Sequence, residues 1–188
     1  MQKFIVGVVV LVIASFTLVA PAAPLPRPSP EFSVVEPGGA TFPLSSLKGK
    51  VVVVEFLFVK SEHCLRIIRM LEKLRGELGP RGFQPVGVVF DPPNTPIEGR
   101  LQAAQMTEYF KLTFPVGYTS KENVDSYLAR APNETLSIPQ VVVIDRTGTI
   151  RATTGGRSAN LSLEDEGAMR GLITQLLDES SSPGAPGK

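Results

Sequence analysis

Apolar and polar positions along the chain follow two periods, one for strands and one for helices. Residues 51–59 read Val-Val-Val-Val-Glu-Phe-Leu-Phe-Val, a nearly continuous apolar run. Such a run predicts a strand covered on both faces, as in the middle of a parallel sheet. The period then changes. Leu65, Ile68, Met70 or Leu71, and Leu74 recur at helical spacing with Arg and Lys between them. This predicts an amphipathic helix from Glu62 or His63 to Leu78, stopped by Gly79-Pro80. Residues 83–90 form a second buried strand by the same reasoning. After a Pro-rich loop at 92–96, the pattern predicts a helix over 97–109, a brief strand at 114–116 and a short helix over 121–129. A third buried strand follows at 139–145. The polar turn Arg146-Thr147-Gly148 leads it into a strand at 149–153, as a hairpin. The last helix is expected over 161–177. Upstream, residues 32–36 and 41–44 flank Pro37-Gly38-Gly39 as a hairpin or turn, and residues 44–49 read as a helical turn closed by glycine.

Two buried strands joined through a helix imply a right-handed parallel crossover. The closing hairpin is expected to add antiparallel edge strands. The predicted fold class is therefore α/β, a mixed central sheet with helices on both faces. No internal repeat is evident.

The ends of the chain read differently. One Lys precedes the apolar run at residues 4–20, which has the pattern of an export signal and sits at the short limit for crossing a bilayer. Small residues follow, but Pro21 and Pro24 crowd the cleavage points. A cleaved signal and an uncleaved N-terminal membrane anchor both fit residues 1–23. Either places the domain outside the cytoplasm, in the periplasm or another extracytoplasmic space. Residues 24–31 read as a Pro-rich linker, residues 32–178 as one domain, and residues 179–188 as a disordered tail.

Composition narrows the function classes. Lys plus Arg number 19 and Asp plus Glu 18, giving a net charge of +1. There is no basic stripe, so nucleic acid is not an expected partner. The chain holds 1 Cys and 1 His, which excludes an internal disulfide and leaves a zinc site without its usual ligands. The Gly38-Gly39 and Gly155-Gly156 turns lack a phosphate-loop pattern, and no metal or cofactor is expected. Asn133 and Asn160 begin glycosylation sequons that matter only in a host that uses them.

The candidate chemistry lies just past the first apolar strand. Cys64 falls in the first turn of the predicted helix, where backbone N–H groups favour negative charge and thiolate. Ser61 is a candidate N-cap, three residues before the sulfur. His63, if charged, favours thiolate too; equally it is a solvated surface residue. Glu55 interrupts the apolar strand on the face it shares with Val53 and Leu57. A covered carboxylate needs a partner or a proton. It is either ion-paired with a helix Lys or Arg, or a raised-pKa group able to exchange a proton with a nearby thiol.

The stretch Val51–Cys64 resembles the active-site strand and turn of thioredoxin-fold proteins. The wider pattern is similar to the exported or membrane-anchored TlpA/ResA type within the redoxin group. The lead-in Leu-Ser-Ser-Leu-Lys-Gly-Lys at 44–50 and the late Ile-Pro-Gln-Val-Val-Val-Ile-Asp at 138–145 resemble that group as well. The resemblance spans residues 32–178 and implies a thioredoxin-like fold. It further implies that Cys64 matches the second cysteine of a Cys-x-x-Cys motif and that Ser61 replaces the first. Glu55 matches the buried acid that handles the second cysteine's proton. Pro139 matches the cis-proline beside the active turn, where a thiol or extended peptide docks. Leu57 and Lys60 stand at the positions of two family tryptophans.

With serine at position 61, a dithiol cycle within the chain is excluded. Three readings remain. In the first, Cys64 reacts as a single thiol with a disulfide or peroxide and is resolved by an external thiol or a thiol-disulfide protein partner. Peroxiredoxin-like proteins carry Thr or Ser three residues before their reactive cysteine, as Ser61 does here. The proline expected seven residues before that cysteine is Leu57, however, and Arg146 and Arg151 do not match the active-site arginine. In the second, Cys64 forms a lasting mixed disulfide. In the third, the domain is a non-catalytic module that binds a protein or extended peptide near Pro139.

Overall fold

The valine-rich runs become the centre of a sheet. In a computed structural model of the chain, the structure describes residues 24–90, 95–130, 134–155, 161–162 and 165–179. Its strands are β1 (Arg27–Pro28), β2 (Ser33–Val35), β3 (Thr41–Pro43), β4 (Val51–Leu57), β5 (Phe83–Val89), β6 (Val116–Tyr118), β7 (Gln140–Ile144) and β8 (Thr149–Thr153). They form one sheet in the order β1-β8-β7-β4-β5-β6-β2-β3. The pairs β4–β5 and β5–β6 are parallel; β4–β7, β7–β8, β8–β1, β6–β2 and β2–β3 are antiparallel. The helices are α1 (Glu62–Leu78), α2 (Pro96–Phe110), α3 (Lys121–Tyr127) and α4 (Glu166–Asp178), with 3-10 turns at Leu44–Leu47 and Gly79–Arg81.

Side-chain alternation along β4 builds two apolar layers. Val53 and Leu57 pack with Ile68 and Leu71 of α1 and Ile173 of α4. Val52, Val54 and Phe56 pack with Phe32 and with Val124 and Tyr127 of α3. Every residue of β4 and β5 is buried. Each large apolar side chain so covered contributes roughly 2 kcal/mol of burial free energy, so the sheet centre is the stable frame on which the loops rest. Sheet and helices on both faces stand as the periodicity predicts.

The differences are informative. The hairpin β7–β8 does not lie wholly at an edge: β7 pairs directly with β4, with Glu55 opposite Val141. Its five residues are all buried, which an edge strand would not require. The Pro-rich segment read as a linker contributes β1, which pairs with β8. Pro28 is tolerated there because an outer strand does not need every N–H. The first buried strand ends at Leu57 rather than 59. The brief strand is Val116–Tyr118 rather than 114–116. The last helix starts at Glu166, where Asp165 accepts from the Ala168 N–H as N-cap. Among the described residues no helix is long and apolar enough to cross a membrane. The apolar run at 4–20, the tail from residue 180 and both sequon asparagines lie outside the described residues.

Candidate functional site

The site begins where β4 ends. The chain leaves the sheet at Leu57, turns through residues 58–60 and enters α1 at Glu62. Ser61 is the N-cap: its backbone is extended, and its Oγ accepts from the Cys64 N–H at 3.4 Å. The Ser61 carbonyl accepts from Leu65 N–H at 2.9 Å, the first full helical bond. Cys64 therefore stands in the first turn of α1, and its side chain is turned inward with 0% exposure. It packs in the layer that holds Val53, Leu57 and Val141. The sulfur that the sequence puts in a thiolate-favouring helix turn is thus buried. The Cys64 N–H is used by the Ser61 cap, and the sulfur is sealed under the turn.

Glu55 lies on the same sheet face, between Val53 and Leu57, with 0% exposure. Neither carboxylate oxygen has a hydrogen-bond partner. The ion pair with a helix Lys or Arg is not formed. Burial alone pushes the Glu55 carboxyl well above the usual carboxylate range, because the charged form has lost water and gained no donor. Its neighbours across the sheet are Val141 and Gly87. A Cβ at Gly87 would stand 3.2 Å from Val116 and 3.3 Å from Ile68 of α1, so glycine lets α1 sit close above Glu55.

Pro139 immediately precedes β7, and the Ile138–Pro139 bond is cis. Pro139 is buried, Ile138 is half-buried and Ser137 is exposed. Ile138 packs against the layer that contains Cys64, which ties this loop to the start of α1. Two residues without a sequence signal brace the loop. The Thr154 Oγ1 accepts from Val141 N–H at 2.8 Å and reaches the Pro139 carbonyl at 3.5 Å. The Gln140 amide donates to the Ser137 carbonyl. Gly155 lets Gln140 approach, since a Cβ there would collide with the Gln140 amide. The β7–β8 pairing brings Thr154 and Gly155 to Pro139.

His63 is exposed, and the Arg66 guanidinium donates to its Nδ1 at 2.8 Å. Arg146 and Arg151 lie at the other end of the strands. Arg146 donates to the carbonyls of Gly49, Arg81 and Leu177. Arg151 pairs with Asp145 and Glu179. A seven-residue strand is about 20 Å long, so neither guanidinium serves Cys64. A cavity of about 200 Å³ lies at that far end too, lined by Glu31, Leu44, Lys48, Ile144 and Asp145 among others. Among the described residues no three His, Cys, Asp or Glu side chains gather as a metal site.

Comparison with known proteins agrees with this architecture. The profile of the AhpC/TSA family matches residues 26–153. No match was found among curated proteins. Among solved structures, a thiol:disulfide interchange protein of the thioredoxin family from Chlorobium tepidum superposes with a TM-score of 0.64 at 22% identity, covering 83% of this chain and 99% of that one. A putative thioredoxin from Neisseria meningitidis gives 0.63 at 24% identity, covering 83% and 93%. A putative protein disulfide isomerase from Bacteroides thetaiotaomicron gives 0.61 at 22%, covering 86% and 92%. The fold is thioredoxin-like.

Proposed function

This chain belongs to the AhpC/TSA family, and from that premise we propose that it is a thioredoxin-fold redox domain of the cell envelope that works through one thiol, Cys64. The observation that carries the reading is Glu55. A carboxyl group buried without a donor costs stability and serves no packing purpose that leucine would not serve better. On the Cys64 face of the sheet, it supplies a proton acceptor and donor with an affinity shifted toward that of a thiol.

The Cys64 thiol gives its proton to ionised Glu55. The Sγ then attacks a disulfide sulfur, the S–S bond breaks and the departing thiolate leaves with the electron pair. An external thiolate attacks the resulting mixed disulfide at the partner's sulfur, forms a disulfide with it and releases Cys64. Glu55 returns the proton. With a peroxide instead, Sγ attacks oxygen, the O–O bond breaks, Cys64 becomes sulfenic acid, and the departing hydroxide or alkoxide takes the proton held by Glu55 and leaves as water or alcohol. One external thiol converts that acid to a mixed disulfide and water, and a second thiol releases Cys64. Ser61 holds the helix start and supplies no second sulfur, so the resolving thiol comes from outside, as in the TlpA/ResA-like pattern with its first cysteine replaced. The envelope placement rests on the apolar run at residues 4–20, as cleaved signal or as anchor.

The complete burial of Cys64 favours a second reading, in which the domain binds a protein or extended peptide beside Pro139 and the sulfur is packing. The test is Cys64 reactivity in the folded chain. Under the redox reading, peroxide or a small disulfide yields a trapped adduct at Cys64. The adduct is absent from Cys64→Ser, and Glu55→Gln shifts the pH profile of its formation. No adduct short of unfolding, with no peroxide consumed, overturns the redox reading in favour of the binding module.

A further inference from the structure

Among the described residues Lys73 is the one cation of α1 with a carboxylate partner: it meets Glu166 at 2.9 Å, and Arg170 of α4 bridges Glu77 and Glu166. Arg75, on the same half of the helix, has no ion pair, and its buried Nε is unbonded. The cations nearer the thiol are not ion-paired either. Lys60, Arg66 and Arg69 are exposed, and among the described residues none has a carboxylate within salt-bridge distance. Arg66 faces His63, and Arg69 lies 4.9 Å above the Phe110 ring.

Phe110 in turn stacks edge-on with Tyr109 at 4.8 Å, which carries the surface onto α2. Three large apolar side chains stand in solvent on that helix: Ile97 at 70% exposure, Leu101 at 56% and Tyr109 at 78%. They repeat at four-residue steps with Gln105 between, so they share an outer stripe about 18 Å long. The inner face of α2 is already complete with Gly99, Ala103 and Met106. The stripe is thus surplus to folding. Exposed apolar rows joined to unpaired charge mark interaction surfaces. Glu62, Glu98 and Glu108 are the exposed acids beside this surface, Glu98 being engaged by Thr95 in the cap of α2, against Lys60, Arg66, Arg69 and Lys111.

We propose that this face, from the start of α1 across Phe110 to the outer stripe of α2, docks an acidic protein segment with apolar anchors. The charge on the face selects the acidic partner, and the stripe takes its apolar side chains. Arg66 is two residues from Cys64, so a segment seated here brings its own chain to the thiol. In that respect the inference rests on the single-thiol reading and names the class of its partner.

The test uses the full-length chain and a cysteine-free labelled peptide of about sixteen residues, a helical length that covers the stripe, with Glu on its polar face and Leu on its apolar face. A Lys-for-Glu peptide and anionic phospholipid vesicles serve as comparators. The acidic peptide should bind, weaken as salt rises, and lose about tenfold in affinity with Arg66→Glu plus Arg69→Glu. Ile97→Ser plus Leu101→Ser should cost about as much. Retained binding in both pairs of variants overturns the proposal, as does equal binding of the Lys peptide. Binding to vesicles alone assigns the face to lipid and overturns it. Concentration-dependent self-association lost in Ile97→Ser plus Leu101→Ser assigns it to a second copy and overturns it too. The peptide has no sulfur, so inert Cys64 chemistry leaves this outcome untouched.

Discussion

Two buried carboxylates sit in this sheet under opposite conditions. Asp145, just past β7, is 9% exposed and surrounded by donors. Its Oδ1 accepts from Thr147 N–H, Thr147 Oγ1 and Thr149 N–H, and its Oδ2 from Arg151. Burial pushes its pKa up, but the bonds from Thr147, Thr149 and Arg151 together outweigh that and hold it below the usual value. Glu55, in the middle of β4, has burial and nothing else. The first is a closed structural knot at the β7–β8 turn. The second is a cost that the surrounding core sustains. Burial by itself therefore does not set the proton affinity of an acid; the count of donors around it decides the direction.

The sharpest way to break the comparison is to remove each acid. Asp145→Ala should destabilise the domain by about 3 kcal/mol, since it leaves several donors without an acceptor. Denaturant unfolding measures it, and an unchanged midpoint would put Asp145 in the wrong class.

Glu55→Leu should act in the other direction, with a gain of about 2 kcal/mol near neutral pH, while thiol reactivity falls. The pH dependence carries the same sign. Glu55 binds its proton more tightly folded than unfolded, so the unfolded state loses protons first as pH rises. Its contribution to stability is present below the unfolded value and declines by about 1 kcal/mol per pH unit above it, up to the folded value. Wild type should show that slope and Glu55→Leu should lack it. Asp145 has the mirror behaviour: its contribution holds above its unfolded value, about pH 4, and fades as pH falls through the folded one. A stability profile in which both variants move the same limb would end the distinction.

The smallest effect is at Ser61. Loss of the cap in Ser61→Ala should cost about 1 kcal/mol or less, because the bond to Cys64 N–H is long at 3.4 Å. Faster alkylation of Cys64 should accompany it as the helix start loosens. Equal stability and equal alkylation would show that Ser61 neither fixes the turn nor shields the sulfur.

Much of the frame was legible beforehand because its signals are local. The run at 51–57 and the spacing of Leu65, Ile68, Leu71 and Leu74 each announce an element within a dozen residues. Ser61, Glu62 and Gly79 mark the helix ends by their own backbone and hydrogen-bond preferences. The site was legible only as a set of positions. Placing Cys64 in the first turn of α1 follows from spacing, but not its orientation into the core. Thr154 gave no signal, because it acts at Pro139 through the pairing of two strands, and Gln140 gave none, because its bond to Ser137 follows from the way the loop folds.

What the sequence determined by itself is what short-range periodicity and capping encode: the strands and helices, their order, and a lone cysteine three residues after a serine. Tertiary structure decided the rest. It inserted β7 beside β4, recruited Arg27–Pro28 to the edge, left Glu55 without a donor and gave Asp145 four. The physical reason is that donors, desolvation and neighbours come from segments distant in the chain. An ionisable group's environment is therefore a property of the packed sheet and not of the residues beside it in sequence.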